Sequence, residues 1–126
     1  MPEFAWEPLE FLEALGVVPE EEEYGISYRY VVTRPGLRLE LSIWPMDPDV
    51  RVRIYSEAQV EPIAKFDLLN CPGARVVRDK RGLGIEFAGG TMFGGRYDHT
   101  GAAPYGMMLW LEPFVQLEPY PYAYQA

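Results

Sequence analysis

Histidine and cysteine are nearly missing from this chain of 126 residues, which holds one of each, His99 and Cys71. A single cysteine cannot close an internal disulfide. A zinc centre, which takes about four nitrogen or sulfur ligands, has too few candidates. An oxygen-only calcium site could use Asp47, Asp49 and Asp98, but aspartate beside proline is ordinary turn chemistry, so no metal is expected. Long hydrophobic runs are missing too: nothing approaches the ~20 apolar residues that span a bilayer. The opening residues have neither the basic nor the apolar stretch of a secretory signal. Together these absences lead us to expect a cytoplasmic protein with no membrane contact. Motifs for phosphate cradling or for a serine nucleophile are lacking as well, and no cofactor is expected.

Basic residues are lacking only locally. Residues 1–24 hold eight Glu and no Lys or Arg, whereas residues 25–126 hold eleven acids against eleven bases. The net charge of −8 therefore belongs to one terminal segment attached to a neutral body. That balance disfavours nucleic acid, which needs a basic stripe to meet its phosphates. It suits a protein partner of basic character, which an acidic segment would steer at long range.

The length fits one domain, 1–126, with an acidic helix and Glu-rich linker over 1–24, a β body over 25–118 and a Pro/Tyr tail over 119–126. Hydrophobic residues make 48% of the chain and aromatics 14%, enough to fill a core and argue against disorder. Twelve Gly and twelve Pro point to many turns rather than long helices. Pro8 at a helix start, Glu in the first turn and Gly16 at the end predict a short helix with Leu9, Leu12, Leu15 and Phe11 as its apolar stripe. The run Glu20 to Glu23 reads as a solvated linker, with docking on an arginine-bearing sheet as the alternative.

From Ile26 the period becomes two. Three stretches alternate apolar and polar residues, broken by Arg34-Pro35-Gly36 and by Pro45 to Asp49, and predict an antiparallel meander over 26–55. Pairing Val32 with Leu37 and Ile43 with Val50 would set Arg29, Glu40 and Arg53 in one row across the outer face. Further strands are expected near 64–70, at 74–78 and 83–88 around a polar hairpin loop, and from Gly106 to Leu117 around the apolar run Met107 to Leu111, with Pro113 marking an edge or an end. The last residues favour an extended polyproline tail. The fold class is thus mainly β (α+β): an antiparallel β-sandwich or half-open barrel of six to seven strands with one short N-terminal helix.

Two places could carry function. The outer face of the meander gathers Arg29, Arg38, Arg51 and Arg53 with Trp44 and Tyr55, a composition enriched where proteins bind proteins. A charge ladder that keeps the sheet soluble would explain the same arginines. The Gly-rich segment 89–106 holds Tyr97, Asp98 and His99, a candidate small-ligand or acid/base site. Cys71, with no cation beside it in sequence, is expected to be inert. The reading that follows is a non-enzymatic acidic interaction protein of inhibitor, immunity or chaperone type, binding a protein partner. The alternative is a small-ligand-binding protein or enzyme with its site at 89–106, and a homodimer is a further option.

Overall fold

In the computed structural model, residues 4–22, 25–88 and 106–120 are described. Helix α1 (Pro8–Leu15) starts where Pro8 supplies a preset φ, and it ends where the Gly16 N–H closes onto the Leu12 carbonyl at 2.9 Å. Two turns cannot stand alone, so packing selects the face. That face is Phe11, Ala14 and Leu15, while Leu9, expected in the stripe, is 65% exposed. Phe11 decides this, because its ring reaches both layers of the body: it lies 6.4 Å from the Tyr30 ring and 6.4 Å from the Phe87 ring.

The strands follow as β1 (Glu20–Glu21), β2 (Tyr28–Arg34), β3 (Leu37–Trp44), β4 (Asp49–Ser56), β5 (Ala64–Leu68), β6 (Ala74–Asp79), β7 (Gly82–Ala88), β8 (Gly106–Glu112) and β9 (Gln116–Tyr120). They form two antiparallel sheets, β1-β2-β3-β4-β5 and β6-β7-β8-β9. One buried cluster draws on both, with Val32, Leu39, Leu41, Val52 and Leu68 from the first and Ile85, Phe87, Met107, Leu109 and Leu111 from the second. The expected mainly β sandwich with a short helix is therefore the fold, with nine strands among the described residues rather than the expected six or seven. No helix among the described residues is long and apolar enough to cross a membrane.

The two extra strands come from segments with poor strand composition. Glu20 and Glu21 pair with Arg29 and Tyr28, so this part of the supposed linker is a sheet edge. Gln116–Tyr120 pairs along β8 despite Pro119, which an edge strand tolerates because its outward side needs no donor. The start of the expected tail is thus strand as well. The meander also differs in two details. It begins at Tyr28, leaving Ile26 52% exposed. Its first hairpin pairs Val32 with Leu39, two residues from the expected register, whereas Ile43 pairs with Val50 as read. Pro35 and Gly36 alone make the turn, and Gly36 sits at φ 77°, as the second central residue of a type II turn requires.

A strap over residues 4–6 ties the layers together at one end. The Phe4 N–H donates to Pro45 O at 2.9 Å, on the β3–β4 loop of the first sheet. The Ala5 N–H donates to Pro72 O at 3.0 Å, and Ala5 O accepts from the Ala74 N–H at 3.0 Å, at the start of the second sheet. Gly73 permits this approach, since a Cβ there would lie 2.4 Å from the Ala5 carbonyl oxygen. Trp6 then joins edge-to-face contacts with Phe4, Phe11 and Tyr28 at 5.0–5.8 Å.

Candidate protein-binding face

Alternation along β2, β3 and β4 sends every second side chain away from the core, and the pairing aligns these into rows. One row runs Glu20, Arg29, Ser42, Arg51, Asp67 across all five strands. The next runs Val31, Glu40, Arg53, Lys65. Beyond it lie Thr33, Arg38 and Tyr55. The sequence thus brings all six expected partner-binding residues, Arg29, Arg38, Trp44, Arg51, Arg53 and Tyr55, onto one sheet face.

The face is not a bare cationic patch. Arg29 donates to Glu20 at 3.0 Å and to Glu40 at 2.8 Å, and Arg38 Nε donates to the other Glu40 oxygen at 3.0 Å. Glu40 therefore bridges two guanidinium groups, and its side chain is only 15% exposed. The Glu40 hydrogen bond, ahead of the opposing cost of burial, holds the Arg29 pKa above its ordinary value. Arg53 grips Asp67 with both terminal nitrogens, at 2.8 and 3.4 Å, and Arg51 lies 3.6 Å from the same carboxylate. The Arg53 hydrogen bond, with Coulomb help from Arg53, Arg51 and Lys65, keeps the Asp67 carboxyl below the usual carboxylate range. Two arginines also lie over rings: Arg38 is 4.1 Å from the Tyr55 centroid and Arg51 is 5.5 Å from that of Trp44.

Two of these partners were not legible as such. Asp67 arrives on β5, from a stretch without a clean period. Glu20 comes from the Glu run, and its contact with Arg29 realises, for that residue, the alternative in which the run docks on the arginine face. The signal for Asp67 was present in the alternation Lys65, Phe66, Asp67, Leu68. The expected row of Arg29, Glu40 and Arg53 is corrected by the two-residue register shift: Arg29 faces Ser42, and it reaches Glu40 along the diagonal.

Tyr97, Asp98 and His99 lie outside the described residues. Cys71 is buried, its thiol within 3.1 Å of Ala88 O and 3.4 Å of Gly73 O. Burial pushes its pKa up to about 12, which keeps it a neutral thiol at physiological pH. Among the described residues, no group of three or more His, Cys, Asp or Glu could hold a metal ion.

No family model matches the chain, and no curated protein matches its sequence. Among solved structures, the fold is similar to one chain of a contact-dependent growth inhibition toxin–immunity protein complex from Klebsiella pneumoniae 342. The TM-score is 0.76 at 13% sequence identity, over 95% of this chain and 98% of that one. At so low an identity the likeness is one of fold.

Proposed function

We propose that this chain is an immunity-type protein, acting in the cytoplasm, that binds a protein toxin through the outer face of its five-stranded sheet. The observation that carries the reading is the full-length fold likeness to a chain of a toxin–immunity complex. Of the two roles such a complex contains, neutralisation suits this chain better. Its net charge of −8, concentrated in the N-terminal segment, would attract a basic partner and speed encounter. Its outer face offers Arg, Trp and Tyr already held in place by ion pairs and ring contacts, so little side-chain entropy is lost on docking.

Growth rescue tests this directly. Candidate toxin domains from the same genome are expressed alone and together with this chain. Rescue by this chain from one of them, with a complex that co-elutes in size-exclusion chromatography, is the expected result, and Arg51→Ala with Tyr55→Ala should weaken that complex about tenfold or more. Toxicity that persists with every candidate in the presence of folded protein would refute the reading. Association that is indifferent to salt would refute the steering role of the acidic segment.

A further inference from the structure

At one corner of the binding face, where β3, β4 and β5 meet the β3–β4 loop, the surface is concave. A pocket of about 280 Å³ opens there, walled by Trp44, Asp47, Asp49, Arg51, Asp67 and Leu69. Its charges do not balance. Asp67 is matched by Arg51 and Arg53 at 3.6 and 2.8 Å, which leaves Asp47 and Asp49 with no ion pair to any described residue. Asp49 Oδ1 accepts the Asn70 N–H at 3.1 Å, an interaction that fixes the carboxylate without neutralising it. The walls are otherwise apolar. Trp44 is half-buried, Leu69 is 55% exposed, and Met46, on the same loop as Asp47, is 63% exposed. Large apolar groups at such exposure beside an aromatic ring and uncompensated carboxylates are unfavourable for solubility alone and favourable for a mating surface.

We infer that this pocket receives an arginine side chain of the protein partner, its methylene stem on Trp44 and Leu69 and its guanidinium on the Asp47 and Asp49 carboxylates. Arginine fits better than an apolar anchor because two carboxylates would otherwise be desolvated without a counter-charge. It also suits the planar ring and the forked acceptors of the wall. The inference deepens the proposed function, on which it rests for the identity of the partner but not for the chemistry of the pocket.

The pocket can be tested without any toxin. The full chain, labelled with ¹⁵N, is titrated with Nα-acetyl-arginine methylamide, and in parallel with the isosteric, uncharged citrulline derivative. The indole N–H of Trp44 is the reporter, with Trp6 and Trp110 as internal references. The expected result is a saturable shift of the Trp44 signal in the millimolar range with the arginine compound alone, lost in Asp47→Asn and in Asp49→Asn. Equal shifts from arginine and citrulline, or no saturable shift at Trp44, would overturn the inference. The charged-against-uncharged comparison on the native chain decides the matter even if a variant fails to fold. A negative result here leaves growth rescue intact, and failed rescue leaves the titration intact, so the two readings fail separately.

Discussion

The two sheets of this sandwich differ in how much of their outward faces they bury. On the first, β3 alternates between buried Leu39, Leu41 and Ile43 and the partly exposed Glu40, Ser42 and Trp44. On the second, β8 is buried on both sides: Met107, Leu109 and Leu111 face the shared core, while Met108 and Trp110 are 0% and 3% exposed on the other side, in a separate cluster with Val77. There the indole Nε1–H donates to Glu118 at 3.2 Å, and Arg81 lies 4.6 Å over the ring. Both outer faces carry ion pairs, on the second sheet Arg75–Glu86 at 2.6 Å and Arg81–Glu118 at 3.1 Å, but only the second also buries a small apolar cluster there. The difference makes β8 a strand whose two faces are both closed to solvent, whereas β3 is closed on one face only.

The contrast can be broken most directly at β8. Leu109→Ala and Met108→Ala should each cost about 2–5 kcal/mol of unfolding free energy, because both side chains are fully buried. Ser42→Ala, on the outer face of β3, should stay within about 0.5 kcal/mol. Urea titration measures all three, and a Met108→Ala loss as small as that of Ser42→Ala would erase the distinction. A smaller effect sharpens the description of the first sheet. Glu40→Gln removes the charge shared by two guanidinium groups and one of their two acceptor oxygens, and should cost about 1 kcal/mol at low salt, since both arginines remain partly exposed. The difference from the native chain should shrink in concentrated NaCl, and a loss unchanged by salt would mean that packing rather than charge is at stake. The smallest effect concerns pH. Asp67 has its carboxyl pKa lowered in the folded state, so its contribution is fully present above the unfolded carboxylate range, near pH 4, and disappears as pH falls through the folded value. The stability gap between native protein and Asp67→Asn should narrow once the pH falls below the ordinary carboxylate range, about pH 4, as read by thermal melts, and a constant gap would contradict the pairing with Arg53.

The same contrast explains what could be read from the sequence. The first sheet was legible because half-buried antiparallel strands write their two faces into an alternating pattern, as Leu37 to Trp44 does. Its first hairpin register was not, because a slip of two residues leaves every side chain on the same face, and only the choice of Pro35 and Gly36 as a two-residue turn distinguishes the options. The helix stripe was misread at Leu9, since on a two-turn helix one aromatic anchor, Phe11, outweighs a leucine spacing. In the second sheet, β8 reads as a continuous apolar run, which conveys burial but not which side faces what. β9 was hidden by Pro119, and β1 by four consecutive glutamates. The outer face of the first sheet shows the same division. Its arginines and aromatics could be named in advance, while their counter-charges, Glu20 and Asp67, are brought to them only by the tertiary pairing of edge strands.

Cys71 carries one more consequence. Its sulfur is sealed against Gly73 and Ala88 where the end of one layer meets the start of the other, so no alkylating reagent can reach it while the layers are closed. The thiol is therefore a built-in clock. At neutral pH its labelling rate reports how far the sandwich opens, and binding of a partner that closes the same structure would slow that rate by the factor by which it lowers the open population, about tenfold for each 1.4 kcal/mol gained.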